Sequence, residues 1–378
     1  MKIQNRKIVS ALVVGLFSVT FPALAIQSSA SAATAKILAG NACTTAGAKG
    51  TAGSIALVCT TNKIAGKQTW IPVNQTSVTL QIDGSAVPYY APVYAAIDQG
   101  YFAENGLKVT VAYAAGSDIL RNVAAGNVEF GFPNGDSVVT AVGKGVVVKV
   151  IHTTYQKGIG AIMFNKKTSK IKTAADLKGK NVAVTDLGSP NYIQLQVILK
   201  AVGLSLSDIN LVTIGTGSIV PALQNGQVDA IVFSRIRYYA LKAAGFPVGQ
   251  ILSDDFLPSF GNIMITSPDY LAKNRDVVKA FNTAFDKGLT FSSRRPIDAV
   301  NGAISRYAPS FIGQNAFITN IIRTVFVKDL WNSSFTRAGG YGYGDLAAWQ
   351  TLIDTQVKFG IIPKSFDAAT MVVNPSNV

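Results

Sequence analysis

The chain has 378 residues, 48% of them hydrophobic and 14% charged, with a formal net charge of +14 at neutral pH. The basic residues are scattered through segments that read as helices and turns, with one local group at Lys166, Lys167, Lys170 and Lys172. That distribution argues for a solvated face, with at most a weak attraction to an anionic cell surface, and against a nucleic-acid partner. A single histidine, His152, and two cysteines exclude a His-based metal cluster, so neither metal nor cofactor is expected.

Lys2, Arg6 and Lys7 precede an apolar run over 8–24 that ends in the small-residue sequence Ala23-Leu24-Ala25. This pattern predicts a secretory signal peptide over 1–25, with cleavage as late as residue 35 also meeting the small-x-small rule. Removal of the three leader cations leaves +11 on the mature chain. No cysteine stands where a lipid anchor would need one, and Lys144 and Lys149 interrupt the best later apolar stretch. The expectation is a soluble, secreted, extracytoplasmic monomer in the cell envelope or periplasm.

Residues 36–76 read as a small module and linker. Cys43 and Cys59 lie in a short segment rich in Thr, Ala and Gly, and an exported chain meets an oxidising compartment, so a Cys43–Cys59 disulfide is predicted. Closing that loop stabilises the segment by roughly 3 kcal/mol in the chain-entropy model.

The main domain opens with a strand over 78–82. Pro92 starts a helix in which Val93, Ala96 and Ile97 recur at helical spacing, and Gly100 stands at the C-cap position. A strand over 108–112 follows. Asp118 is placed to cap the next helix, with Ile119, Leu120, Val123 and Ala124 on its inner face. The strand over 128–132 comes next. Further on, Ser189 caps and Pro190 begins a helix that Gly203 closes. Strands are expected over 211–214 and 228–233, the latter as the last of its lobe, and helices over 275–291, 296–307 and 345–359.

The chain also says one thing twice. Gly106-Leu107, Gly116-Ser117 and the run from Ala125 to Gly131 return as Gly203-Leu204, Gly217-Ser218 and the run from Asn225 to Ile231. Each copy reads as a strand, a Gly-Ser turn, a helix ending at glycine and a second strand. The fold class is therefore α/β with two lobes: a first lobe over 77–163 and 261–378, and a second over 164–260. Hinge strands are expected near 160–166 and 260–266. Open α/β sheets bind ligands beyond the carboxyl ends of their strands, which places the ligand in the cleft between the lobes.

The strand-end loops carry groups suited to a small polar molecule. They are Asp83, Gly84, Ser85, Tyr89 and Tyr90, then Gly116, Ser117 and Asp118, then Asn134, Gly135, Asp136 and Ser137. Tyr155, Ser189, Ser218, Ser234 and Arg235 follow. Glycine lets a backbone N–H approach a ligand, and tyrosine faces suit a flat ring. Tyr89 and Tyr90 could also be core aromatics, Arg235 equally suits pairing with a carboxylate such as Asp229, and His152 after an apolar strand reads as structural. No Walker loop, nucleophile elbow or acid–base spacing occurs, so nothing demands catalysis.

The stretch from Ala91 through Gly100-Tyr101-Phe102 to Asn105-Gly106-Leu107 resembles the opening motif of exported substrate-binding proteins for nitrate, sulfonates, taurine and thiamine pyrimidine precursors. The 174–180 segment, Ala-Ala-Asp-Leu-Lys-Gly-Lys, and Val220-Pro221-Ala222-Leu223 support the match. The resemblance implies the type II periplasmic-binding-protein fold and delivery of a small-molecule ligand to an ABC permease. Asn134-Gly135-Asp136-Ser137-Val138 and Tyr155-Gln156 are most similar to the thiamine-pyrimidine branch, which binds flat aminopyrimidines. That branch carries a tryptophan after the first-strand aspartate, whereas Gly84 and Ser85 follow Asp83 here. Ring stacking then falls to Tyr89, Tyr90 and Tyr155, with Asn134, Asp136 and Ser189 as hydrogen-bond partners and Arg235 for an acidic group. The alternatives are a solute of the alkanesulfonate, taurine, nitrate or riboflavin type, or an exported enzyme or sensor on the same fold. The related pyrimidine-making enzyme uses a histidine, a lysine and a cysteine-rich iron motif, and both cysteines here lie outside the matching region.

Overall fold

The computed structural model describes residues 37–378. The signal-peptide reading and its cleavage positions lie outside the described residues. Among the described residues no helix is long and apolar enough to cross a membrane.

The N-terminal module is an antiparallel three-stranded sheet of β1 (Lys49–Ala52), β2 (Ile55–Asn62) and β3 (Lys67–Pro72). Leu57 and Cys59 point inward from β2, and Cys59 is disulfide-bonded to Cys43, with 5.9 Å between the Cα atoms. The module is fastened to the main body at two points. Asn62 Nδ2 donates to the Asp98 carbonyl at 2.9 Å, and Lys67 Nζ reaches the buried Glu104 carboxylate at 2.8 Å.

Two five-stranded sheets follow. The first holds β4 (Thr76–Asp83), β5 (Leu107–Ala114), β6 (Phe130–Phe132) and β7 (Lys149–His152). The second holds β8 (Gly160–Asn165), β9 (Asn181–Val184), β10 (Asn210–Thr213), β11 (Ala230–Ser234) and β12 (Val248–Leu252), after which β13 (Met264–Thr266) returns to the first. The strand orders are β5-β4-β6-β13-β7 and β10-β9-β11-β8-β12. In each sheet three strands run parallel and the fourth runs antiparallel to both of its neighbours. The repeat in the sequence is thus a repeat in topology, with β5 and β10 in matching edge positions.

Two expectations need correction. β11 is not the last strand of its sheet: β8 is buried along nearly its whole length and is flanked by both β11 and β12. The first crossing precedes the hinge strand expected at 160–166, because β8 belongs wholly to the second sheet, whereas the hinge expected at 260–266 overlaps the return connection at 260–263, ahead of β13 in the first sheet. The chain crosses over 153–159 and returns over 253–263. These two connections are bonded to one another, Tyr155 N–H to the Asn262 carbonyl at 3.0 Å and Gly261 N–H to the Lys157 carbonyl at 2.9 Å.

The helices are α1 (Ala91–Asp98), α2 (Tyr101–Glu104), α3 (Gly116–Ala124), α4 (Gly135–Gly143), α5 (Pro190–Ala201), α6 (Ile219–Gln224) and α7 (Ile236–Ala243). After β13 come α8 (Pro268–Lys273), α9 (Arg275–Arg294), α10 (Pro296–Arg306) and α11 (Asn315–Ile321), which runs on into π-helical turns over Ile322–Leu330. Finally α12 (Ser334–Gly339) and α13 (Leu346–Lys358) close the chain. Local chemistry sets several of these starts. The Ser189 hydroxyl accepts from Tyr192 N–H and Pro190 fills the first turn of α5, while Asp345 caps α13 through Ala348 N–H at 2.8 Å. Asp118 does not cap: α3 already begins at Gly116, which leaves Asp118 inside the first turn, paired with Arg121 on the exposed face.

The first lobe is cored by Leu80, Ile82, Phe130, Phe132, Phe281 and Phe285, and the second by Ile162, Val182, Val184, Leu195 and Val232. His152 is structural in its contacts, with Nδ1 at 2.8 Å from the Thr154 hydroxyl and Nε2 at 2.9 Å from Asp286.

Candidate functional site

The carboxyl ends of β4, β5 and β6 face those of β9, β10 and β11 across a cavity of about 640 Å³. Tyr89, Tyr90, Gly116, Ser117, Asn134, Tyr155, Ser189 and Ser234 all line it. The helix starts explain this placement: α3 and α5 begin where the parallel strands end, so their first residues edge the cleft.

Six other residues of the expected set stand elsewhere, of which Gly135 and Ser137 are buried in the first turn of α4. Asp118 is turned outward to Arg121. Ser218 precedes α6 and makes no side-chain cap, leaving its neighbours Thr216 and Gly217 on the cleft wall. Arg235 is buried and turned to Asp329, Nη2 to Oδ2 at 2.6 Å, while Asp229 accepts instead from Asn181 N–H at 2.8 Å. Asp136 is 1% exposed and lies behind the wall, where its Oδ2 accepts from Gln194 Nε2 at 2.7 Å. That bond ties α4 of the first lobe to α5 of the second, and Gln194 itself lines the cleft.

One end of the cavity is aromatic. Tyr89 stacks on Phe326 with centroids 5.4 Å apart, and Tyr155 meets the same ring edge-on at 5.5 Å and Phe132 at 5.9 Å. Burial pushes the Tyr89 hydroxyl up to about 12 and the Tyr155 hydroxyl well above the usual tyrosine range, so both act only as neutral groups. Tyr90 is held to the wall by donating to the Asp83 carbonyl at 2.6 Å.

The other face is polar. Asp83, at the last position of β4, accepts from Asn134 Nδ2 at 3.0 Å. Burial lifts its carboxyl to about 6, against the pull of the Asn134 amide, and the charge of Asp186 from the second lobe adds to the rise. A carboxyl poised there both accepts from N–H groups when ionised and donates to a ring nitrogen when protonated. Asp186, Thr185, Gln194, Asn262, Arg237 and Phe326 are cleft residues that the sequence reading did not single out. Asp186 and Thr185 follow β9 directly, so the strand-end rule applied to β9 would have found them.

Residues 87–299, more than half of the chain, match the sequence profile described as NMT1/THI5 like. The chain belongs to this NMT1/THI5 like family. Within reach of the family, the chain is similar to the riboflavin-binding protein RibY of Chloroflexus aurantiacus, at 24% identity over 82% of this chain and 90% of that protein. It is similar at 22% identity to a formylaminopyrimidine-binding protein of Halalkalibacterium halodurans, covering 73% of this chain and 83% of that one. A 4-amino-5-hydroxymethyl-2-methylpyrimidine phosphate synthase of Schizosaccharomyces pombe is also 22% identical, over 78% of this chain and 85% of its own. Among solved structures, the alkanesulfonate-binding protein SsuA from Xanthomonas axonopodis pv. citri superposes with a TM-score of 0.59 at 19% identity, covering 80% of this chain and 99% of that one. The NMT1/THI5 like chain described here therefore has the two-lobed periplasmic-binding-protein fold, with a disulfide-closed module ahead of it.

Proposed function

We propose that this protein is the extracytoplasmic solute-binding component of an ABC importer and that its solute is a flat, nitrogen-rich heteroaromatic, a thiamine pyrimidine precursor before others. One observation carries the reading: the Asp83–Asn134 pair and the aromatic cluster of Tyr89, Tyr155 and Phe326 line the same cavity. A carboxyl and an amide together match the donor–acceptor edge of an aminopyrimidine, and ring faces match its plane. The described cleft lining offers carboxyl, amide, hydroxyl and guanidinium groups and no histidine, cysteine or lysine, a set that suits holding a solute better than breaking a bond. A riboflavin-type solute is the second reading, favoured by the cavity of about 640 Å³ and by Phe311 and Phe326, which extend the aromatic wall beyond a single small ring.

The test is a thermal shift of ligand-free mature protein with formylaminopyrimidine, riboflavin and an alkanesulfonate at equal concentration. A solute at about 100 times its dissociation constant adds roughly 2.7 kcal/mol and raises the midpoint by several degrees. A shift with the sulfonate alone would overturn the heteroaromatic reading. Tyr155→Leu, which stays apolar but loses the ring, is expected to weaken binding of the heteroaromatic about tenfold by titration calorimetry.

A further inference from the structure

Arg237 lines the cleft from α7 with its guanidinium carbon 5.9 Å from the centre of the Phe233 ring, and among the described residues no carboxylate pairs with it. Arg235, two residues earlier, is the opposite case: it is buried and bonded to Asp329, which Lys157 also contacts. Residues two apart on a helix do not face one another. One guanidinium is therefore spent on the frame and the other is turned to the cavity. Tyr89 and Tyr90 of the first lobe line the same cavity. Asp83, by contrast, is engaged by the Asn134 amide.

A partly desolvated guanidinium with no anionic partner is incomplete until something supplies acceptor oxygens, and its planar fork fits a phosphate, carboxylate or carbonyl best. Resting on the heteroaromatic reading above, we infer that Arg237 selects for a solute carrying an anionic or strongly accepting substituent, which it grips from the second lobe while the nitrogen edge of the same solute meets Asp83 in the first. The preferred solute is then polar at both ends, and each end belongs to a different lobe.

The test uses 4-amino-5-hydroxymethyl-2-methylpyrimidine, its phosphate ester and methanesulfonate as probes, titrated into the mature wild-type protein, Arg237→Gln and Arg237→Lys. Arg237 is partly exposed and unpaired, so both variants are expected to keep the wild-type unfolding midpoint without ligand. Arg237→Gln should lose about 10- to 100-fold in affinity for the ester and less than about threefold for the alcohol, and Arg237→Lys should recover part of the loss. Equal losses for ester and alcohol, or no loss for either, would overturn the assignment and leave the heteroaromatic reading intact. If wild type takes methanesulfonate and neither pyrimidine, the heteroaromatic reading fails. In that case a loss of sulfonate binding in Arg237→Gln still supports Arg237 as the acceptor-binding residue, and unchanged binding refutes it. Wild type binding none of the three probes overturns the thiamine-pyrimidine reading and the Arg237 assignment that rests on it.

Discussion

Asp136→Asn is expected to stabilise the protein by about 4 kcal/mol near pH 8 and to change little near pH 4. Full burial lifts the Asp136 carboxyl to about 7, although Gln194 and Ser137 N–H bond to it, and the charge of Asp83 pushes in the same direction. The folded protein therefore holds a proton on Asp136 that the unfolded chain gives up from about pH 4 upward. Stability falls as pH rises from near 4 to about 7, and above that the full cost of a buried anion remains. Asparagine carries no such cost. Its amide keeps the existing bonds if the Gln194 side chain turns over, which is free to happen because Gln194 Oε1 has no partner. Chemical denaturation of both proteins across this pH range gives the answer. A wild-type-to-variant difference that stays constant with pH would mean that Asp136 does not titrate in the window.

Gly288→Ala is expected to destabilise the protein by about 3 kcal/mol, although alanine is the better helix former by roughly 1 kcal/mol. A Cβ at Gly288 in α9 would lie 2.2 Å from the Pro92 carbonyl oxygen and 3.0 Å from the Ala96 Cβ in α1. The first obstacle is backbone and cannot swing aside, so the two helices must separate. Since Tyr89 and Tyr90 lead directly into α1, the same substitution should weaken solute binding. Denaturation midpoints and calorimetric titration together check it, and an unchanged midpoint would refute the close approach.

Much of both sheets was legible because many of their strands are short apolar runs near glycine, and the duplicated Gly-Ser turns pointed to two lobes, but β9 and β12 were not read as strands. The same turns misled at Ser218, since one residue of register decides whether a serine faces the cleft or the outer side of a short helix. Arg235 and Arg237 are indistinguishable locally; only the position of Asp329, nearly a hundred residues on, decides which guanidinium is occupied. Asp136 had the right loop but the wrong side of it, because the sequence holds no sign of the Gln194 amide waiting behind the wall. Phe326 comes from a π-helical stretch in the last quarter of the chain, and its sequence reads as any apolar helix face. What sequence periodicity encodes is burial. Which buried face looks into a cleft is settled by long-range packing.

The paired crossings between the lobes also have a mechanical meaning. Two connections bonded to each other through Tyr155–Asn262 and Gly261–Lys157 form a flat strap, and a flat strap bends easily about one axis while resisting twist and sideways slip. Tyr155 and Asn262 belong to this strap and to the cleft wall alike. On the proposed reading, a solute resting on them would load the flexure itself, so the stiffness of the protein and its grip on the solute would be tuned by the same few residues.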